Sequence, residues 1–312
     1  CSQLAVRPRT RISHRMSIPV LRFAPSPTGT LHLGSALSAL LAHDAAARLG
    51  GRFLLRIEDT DVTRCRPAYE AAILDELAWL GLGWEEPVRR QSEHFADYRS
   101  TAARLAELGL LYPCTCSRSQ IAAAVAALDT PGRPWPRDPG GTPLYPGTCR
   151  PGEPVGVDIA LAEDGIRAHG THALRLDMAR AVELAGALDW AEFGDAFYTP
   201  GFNVASSGAR VPADPARWGD VVLCRKETQT SYHLSVVCDD ALQGGAGFQR
   251  GAELHTLRGA EQLDGDDPRQ IVVHPRQPAG AVGGHGHLVG VVALLPRLLT
   301  GLDGPHAGFV TA

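Results

Sequence analysis

The stretch at residues 22–34, RFAPSPTGTLHLG, constrains the fold of this chain more than any other part of its sequence. The apolar residues at 20–24 predict a short strand. Two prolines and a glycine follow, which exclude both strand and helix and force a turn. The next segment, residues 35–49, carries apolar residues at helical spacing. The sequence therefore predicts a strand, a turn and a helix N-terminus in direct succession.

A strand, a turn and a helix N-terminus in this order make a candidate phosphate site, because backbone N–H groups and the helix dipole point at a bound anion. His32 adds a donor for a phosphate or for charge that develops on it. The stretch lacks the GxxxxGK[ST] pattern of a Walker A loop, and no Lys follows it. For a lone His-x-Gly, the alternative is an ordinary strand–turn–helix corner with a surface His.

A second apolar run at residues 52–57 ends in an acidic turn that contains Glu58 and predicts a second strand. Strand, helix and strand at this spacing are typical of a βαβ unit in a parallel α/β sheet. Acidic residues at the C-terminal end of such a strand face the crevice where ligands bind. A solvated turn that caps the next helix is the alternative. Further helices are predicted over residues 69–80 and 100–111.

Three cysteines flank a segment rich in proline and glycine at about residues 112–150. Cys114 and Cys116 are separated by one residue, and Cys149 follows roughly thirty residues later. Thiolates in this pattern suit a tetrahedral zinc site. A metal would supply folding energy to a segment with too little apolar content for its own core. Three Cys leave one ligand open, and buried or free cysteines are the alternative.

The overall charge limits how the chain can contact nucleic acid. It carries 30 Lys and Arg against 34 Asp and Glu, a formal net charge of −4, so any such contact needs a local basic patch. No apolar run is long enough to span a bilayer. Seven Cys without the spacing of a small secreted scaffold favour a reducing compartment. We therefore expect a soluble, cytoplasmic monomer.

Two motifs, RFAPSPTGTLHLGS at residues 22–35 and RFLLRIEDTD at residues 52–61, together resemble the class I glutamyl-tRNA synthetase group. In this group, HLGS stands for the HIGH-type motif. The resemblance implies an α/β fold with a class I synthetase Rossmann-like parallel sheet and a small zinc-binding insertion. It also implies activation of glutamate with ATP and Mg²⁺. His32 and Gly34 would be catalytic, and His32, Gly34 and Ser35 would bind ATP.

The resemblance also assigns a glutamate pocket. A strand over residues 220–226 and a helix over residues 231–240 match the group's pattern. Glu58 then holds the α-amino group, Tyr232 lines the pocket, and Arg250 clamps the side-chain carboxylate with its bidentate guanidinium. A core aromatic and a surface charge are the alternatives for Tyr232 and Arg250. The predicted glutamate-binding residues are Arg22, Phe23, Ala24, Pro25, Ser26, Glu58, Tyr232 and Arg250.

The arrangement Cys-x-Cys…Tyr-x₃-Cys is similar to that of the glutamyl-Q tRNA(Asp) synthetases, the shorter members of the group. The resemblance implies one structural Zn²⁺ held by Cys114, Cys116, Tyr145 and Cys149. No anticodon-binding domain follows in the sequence, which also favours the shorter members. The implied partners are glutamate, ATP and tRNA(Asp), and the glutamyl group would pass to the queuosine base.

The resemblance covers residues 17–254, apart from a loop at 131–142 and an insertion at 202–216. Group members continue with a Lys-rich KMSKS-type loop that binds the ATP phosphates, whereas Lys226 is the only Lys in this chain. We therefore predict three parts: a disordered or non-native extension, a Rossmann-like catalytic domain with the insertion at about 112–150, and a divergent or frameshifted tail. They comprise residues 1–16, 17–254 and 255–312.

Three functions fit the sequence. The first is glutamate activation and transfer to queuosine, impaired by the missing Lys loop. The second is a fragment of an ordinary glutamyl-tRNA synthetase, which charges the 3′ end of tRNA. The third is a non-catalytic relic that binds glutamate or zinc.

Overall fold

The structure is a computed structural model, which describes residues 18–157, 159–162, 165–168, 172–192, 209–226 and 230–243. Its strands are β1 (Val20–Phe23), β2 (Arg52–Ile57), β3 (Glu85–Arg90), β4 (Leu111–Cys114), β5 (Ile159–Ala162), β6 (Gly165–Ala168), β7 (Ala173–Leu176), β8 (Asp189–Glu192), β9 (Ala209–Pro212) and β10 (Val222–Cys224). Its helices are α1 (Leu33–Arg48), α2 (Pro67–Trp79), α3 (Phe95–Glu107), α4 (Arg118–Leu128), α5 (Met178–Ala185) and α6 (Tyr232–Leu242). The predicted extension at residues 1–16, the tail at 255–312 and Arg250 lie outside the described residues.

The first three strands form the predicted parallel sheet. β1 pairs with β2 and β2 with β3, both in parallel, in the order β1-β2-β3. Parallel neighbours need a crossover connection, which α1 supplies between β1 and β2, and α2 between β2 and β3. β2 is buried along almost its whole length, as expected for a strand covered on both faces. The prediction of a βαβ unit is confirmed.

Small side chains on one face of α1 let this helix lie close to the sheet. Ala39 and Ala42 are buried in one core with Phe53 of β2 and Leu77 of α2. The helix begins at Leu33, slightly before the predicted start, because the preceding His32 is its N-cap.

A second sheet, which the sequence did not predict, follows in the chain. β7 lies between β10 and β4 and is antiparallel to both. The predicted helix over residues 100–111 is wrong at both ends, because α3 spans Phe95–Glu107 and β4 begins at Leu111. Gly109, with φ of 66°, ends the helix, since a left-handed residue stops helical hydrogen bonding. The first strand of this sheet, β4, therefore starts two residues after this glycine.

Two elements near the predicted site were missed in the sequence. β3, with the sequence EEPVRR, has Val88 as its one buried residue and so lacks an apolar alternation. α4 lies inside the segment predicted to hold zinc and starts with a capping box between Ser117 and Gln120.

The predicted insertion at residues 202–216 contains β9 and a 3-10 turn over Pro215–Trp218.

α6 begins as predicted, with the Ser231 hydroxyl accepting a hydrogen bond from the Leu234 N–H. Leu234 and Val237 pack with Leu105 of α3 in a core that also includes residues of β4, β7 and β10. The C-terminal part of α6 is different, because it carries buried carboxylates that face the first sheet. Within the described ranges, no helix is long and apolar enough to span a membrane.

Candidate functional site

Buried charges cluster where the C-terminal ends of β1 and β2 meet the end of α6. The Arg56 side chain is 0% exposed. Its Nη1 lies 2.6 Å from Asp240 Oδ1 and its Nη2 lies 3.2 Å from Glu58 Oε1, while its Nε lies 3.7 Å from Asp239. Arg22 forks onto Asp240, with Nε 2.8 Å from Oδ1 and Nη2 3.2 Å from Oδ2. These five residues form what we call the charged cluster.

Asp239 connects the charged cluster to the rest of the fold. It accepts hydrogen bonds from Arg89 Nε at 2.7 Å, Gln91 Nε2 at 2.8 Å and the Tyr98 hydroxyl at 3.0 Å. These donors come from β3, from the turn that follows it and from α3. A fully buried carboxylate is thus satisfied by three separate elements.

Glu58 is the carboxyl of the cluster that titrates near neutral pH. Burial raises its pKa, and the charges of Arg56 and Arg22 offset only part of that rise, so the pKa is about 7 instead of 4.5. Burial also raises the pKa of Asp240, but the charges of Arg22 and Arg56 outweigh burial and hold that pKa below its usual value. Perturbed carboxyls of this kind are typical of functional sites.

The turn after β1 is tied to the strand end that carries Glu58. The Glu58 N–H donates to the Pro25 carbonyl at 2.9 Å, and Ser26 Oγ lies 3.9 Å from Cys65 Sγ. Phe23 is buried in the first core. The predicted glutamate residues at 22–26 and Glu58 therefore lie at the same edge of the sheet.

Tyr232 begins α6, about 12 Å along the helix axis from Asp240 at 1.5 Å per residue. It lines a pocket together with Tyr145, Arg175 and Trp218. Its predicted role in the glutamate pocket stays a prediction, as does that of Arg250, which lies outside the described residues.

The N-terminus of α1 is partly covered by its own cap. His32 Nδ1 accepts a hydrogen bond from the Ser35 N–H at 3.1 Å, and His32 Nε2 lies 3.1 Å from Ser35 Oγ. A Cβ at Gly34 would lie 3.1 Å from the imidazole, so this glycine leaves room for the ring. Backbone N–H groups here were predicted to point at a phosphate, but the Ser35 N–H donates to His32 in this structure. The catalytic and ATP-binding roles of these residues stay predictions.

The three predicted metal-ligating cysteines come together. The Sγ atoms of Cys114, Cys116 and Cys149 lie within 4.8 Å of one another, and Tyr145 Oη lies 3.5 Å from Cys114 Sγ and 3.7 Å from Cys116 Sγ. Sulfur and oxygen ligands of tetrahedral zinc, at their usual bond lengths, lie roughly 3.5–3.8 Å apart. The donor set and its spacing therefore fit one Zn²⁺.

The members of this cysteine cluster differ in how readily they ionise: burial raises the pKa of Cys116 and of Tyr145, whereas the pKa of Cys149 is lowered. Burial raises the pKa of the Cys149 thiol, but hydrogen bonds from Tyr145, from the Thr115 backbone and from Cys116 outweigh burial and lower it to about 6. The Arg175 guanidinium lies over the Tyr145 ring, with Cζ 3.8 Å from the ring centroid. Arg175 therefore lies beside Tyr145, the candidate fourth ligand, which the spacing of the cysteines alone did not identify.

The residues that hold the site together were not identified from the sequence. Arg56 lies within the apolar run FLLRI, and Asp239 and Asp240 lie within the predicted last helix. A charged residue inside an apolar run was the available signal, because such residues are almost never fully buried without a partner. The partners of each charged residue could not be inferred from the sequence, because they lie far apart in the chain.

Comparison with known families and proteins agrees with the motifs. A family model described as tRNA synthetases class I (E and Q), catalytic domain, matches residues 20–138. A protein of Rhodobacter capsulatus named glutamyl-Q tRNA(Asp) synthetase is 46% identical over 235 residues, which cover 75% of this chain and 77% of the relative. A protein of Symbiobacterium thermophilum with the same name is 38% identical over 294 residues, covering 91% of this chain and 75% of the relative.

Longer proteins are also similar. A glutamate–tRNA ligase of Nitratidesulfovibrio vulgaris is 34% identical over 264 residues, which cover 83% of this chain and 46% of that protein. Among solved structures, the glutamate-tRNA synthetase of Elizabethkingia anophelis matches with a TM-score of 0.51 and 23% identity. The match covers 73% of this chain and 43% of that one. This structural likeness supports the class I synthetase fold alone.

Replacement of Arg56 by Met is expected to lower the free energy of unfolding by about 3–5 kcal/mol, because it removes the buried cation that pairs with Glu58 and one of the two cations that pair with Asp240. Urea denaturation followed by circular dichroism measures the change. Arg48→Met is the matched control: Arg48 pairs with Asp44, both side chains are about half exposed, and the loss should be at most about 1 kcal/mol. Equal losses in the two variants would contradict the importance of the buried network.

Proposed function

Because the chain belongs to the glutamyl-Q tRNA(Asp) synthetase family and is therefore an aminoacyl-tRNA synthetase-like ligase, we propose that it activates glutamate with ATP and transfers the glutamyl group to the queuosine base of tRNA(Asp). The observation that carries this proposal is the charged cluster. It brings the Arg22 guanidinium and the Glu58 carboxyl to one edge of a parallel sheet, beside the turn that leads into α1.

Glutamate carries one ammonium and two carboxylates, and the charged cluster has groups of opposite charge for both. The Glu58 carboxylate is suited to the α-ammonium, and the Arg22 guanidinium is suited to a carboxylate. Because the cluster is largely buried, each such pair is stronger than in water. Arg250 would add the second guanidinium that the glutamate side chain requires.

Activation would take place between the glutamate site and the start of α1. The substrate α-carboxylate attacks the α-phosphorus of ATP, pyrophosphate leaves, and glutamyl-adenylate forms. His32, with Gly34 and Ser35 at the N-terminus of α1, would bind the phosphates as their negative charge shifts. Mg²⁺ accompanies ATP and offsets phosphate charge when bound. The acyl group then passes to the queuosine base and AMP is released.

The cysteine cluster would hold one structural Zn²⁺ through Cys114, Cys116, Tyr145 and Cys149. Bound there, the metal would supply folding energy to the segment that contains α4. Its four ligands come from two places, the end of β4 and the loop at residues 145–149. The metal would therefore connect both ends of a segment that contributes few residues to either core.

Charging of the tRNA 3′ end is the second candidate function, favoured by the 34% identity to a glutamate–tRNA ligase. The two reactions share glutamate activation and differ in the acceptor. Glutamate transfer to queuosine-containing tRNA(Asp), measured beside transfer to tRNA(Glu), distinguishes them. Transfer to tRNA(Glu) alone would overturn the queuosine assignment.

Glutamate-dependent ATP–pyrophosphate exchange by the 312-residue chain is expected to be slow. The chain lacks a KMSKS-type Lys, which in the group stabilises the charge that develops on the phosphates in the transition state. Loss of one such donor typically lowers the rate about a hundred- to a thousandfold. Glutamate binding, measured by calorimetry on the same sample, should persist. Exchange as fast as that of a synthetase with the Lys loop would show that another cation has this role, and binding without any exchange would favour the relic.

Glutamate affinity is expected to rise as the pH rises through about 7, because the ammonium binds the ionised form of Glu58, whose pKa is about 7. Below that pH the carboxyl is protonated and the ion pair is lost. Calorimetric titrations between about pH 5.5 and 8.5 measure this dependence. Glu58→Gln should bind weakly at every pH.

The unliganded protein should show the opposite trend in stability. Because folding raises the pKa of Glu58, the folded state holds a proton that the unfolded state releases, so stability falls as the pH rises from about 4.5 to 7. Glu58→Gln should weaken this fall. An unchanged pH dependence of glutamate binding in the variant would contradict the role of Glu58.

Purified protein is expected to contain about one zinc per chain, because the donor set has the tetrahedral spacing of a closed structural site. Elemental analysis measures the metal, and Cys149→Ser should lower it well below one. Cys65→Ser is the matched control, since Cys65 is a half-buried free cysteine outside the cluster. Chelation should also open residues 112–150 to protease first, and resistance of this segment after metal loss would count against a structural metal.

A further inference from the structure

Two neighbouring carboxylates near the end of α6 are both buried and both lie near Arg56, but they accept hydrogen bonds from different residues. Asp239 accepts hydrogen bonds from β3, from the turn after it and from α3. Asp240 accepts them from Arg22 of β1 and Arg56 of β2. Because successive helical residues point about 100° apart, adjacent side chains reach different parts of the fold. Asp240 is the one that faces the proposed glutamate site.

The contact between Asp240 and Arg22 fixes an orientation as well as a distance. Its two hydrogen bonds, of 2.8 and 3.2 Å, join both carboxylate oxygens to two nitrogens of one guanidinium. The two side chains are 8% and 10% exposed, so water competes little for these bonds. A fork of this kind holds the guanidinium plane, which a single hydrogen bond does not.

Asp240 also reaches Glu58 through one intermediate. Arg56 Nη1 lies 2.6 Å from Asp240 Oδ1, and Arg56 Nη2 lies 3.2 Å from Glu58 Oε1. The Arg56 side chain is 0% exposed, so its position depends on these carboxylates rather than on solvent. The placement of the Glu58 carboxyl is thereby coupled to the end of α6.

We propose that Asp240 is a positioning residue for glutamate: it orients the Arg22 guanidinium directly and the Glu58 carboxyl through Arg56. The inference rests on the proposed function, because it requires Arg22 and Glu58 to contact the substrate. Asp240 itself does not need to touch glutamate. It arranges the two side chains that would recognise the ammonium and a carboxylate of the amino acid.

The charge of Asp240 has a second effect on Glu58. Three charged groups face the Glu58 carboxyl: Arg22 from β1, Arg56 from β2 and Asp240 from α6. Asp240 repels a negative charge on Glu58, whereas the two arginines attract it. Without the charge at 240, Glu58 would ionise at lower pH.

Calorimetric titration of the full chain with L-glutamate tests the proposal in Asp240→Asn and Asp239→Asn. Both variants remove a buried charge from adjacent positions, so both should unfold at lower temperature. Asp240→Asn should raise the glutamate Kd about ten- to a hundredfold, as expected when hydrogen bonds to charged groups are lost. Asp239→Asn should raise it less than Asp240→Asn does, because Asp239 lies 3.7 Å from Arg56 and makes no hydrogen bond to Arg22 or Arg56. In Asp240→Asn, the pH midpoint of the remaining binding should also move below that of the unaltered chain.

An unchanged Kd in Asp240→Asn would overturn the proposal, as would equal weakening in both variants, which would indicate a general loss of structure. If the unaltered chain gives no binding heat, the proposed function fails and the inference fails with it. If the unaltered chain binds and Asp240→Asn binds equally well, only the inference fails.

Asp240→Glu keeps the test decisive if the Asn variant does not fold. It retains the charge but lengthens the side chain by one methylene, which displaces the fork on Arg22. Near-UV circular dichroism should match that of the unaltered chain, with the glutamate Kd raised about three- to tenfold. A Kd equal to that of the unaltered chain would show that the geometry of the fork is not required.

Discussion

The Arg56 guanidinium is fully buried and therefore needs carboxylates around it. The positions of the elements that supply these carboxylates depend on this requirement. The three acidic neighbours of Arg56 come from the end of β2 and from α6. One of them, Asp239, in turn binds β3, the turn after it and α3. Because each buried charge requires a partner, the elements that supply these partners are held in one mutual position.

The same requirement explains why two carboxyls of one cluster differ in their ionisation. Asp240 lies between two arginines and stays ionised, whereas Glu58 is buried with less compensation, and its pKa rises to about 7. A carboxyl in that state gains more from a cationic ligand than an already paired carboxylate would. The negative charge of Glu58 is thus only partly compensated by the protein, and Glu58 lies at the sheet edge where the ammonium of the proposed substrate would bind.

The two parts of the proposed site were predictable to different degrees. Cys114, Cys116 and Cys149 were predicted from spacing, and they meet as expected at the two ends of the segment that contains α4. The turn after β1 was predicted from its prolines and glycine. β3 was missed because it has a single buried side chain, and the antiparallel sheet was missed because pairing between β4, β7 and β10 joins strands that are distant in the chain.

The sequence by itself determined the βαβ unit, the turn that enters α1, the positions of the candidate ligands and the group that the motifs resemble. These depend on local patterns: proline and glycine restrict the backbone, and apolar spacing selects strand or helix. Tertiary structure alone decided which charges meet. Arg22 and Asp240 lie at opposite ends of the described chain, and nothing in their local sequence names the partner. Long-range pairing of buried charges depends on how whole elements pack, so it became visible only in the folded protein.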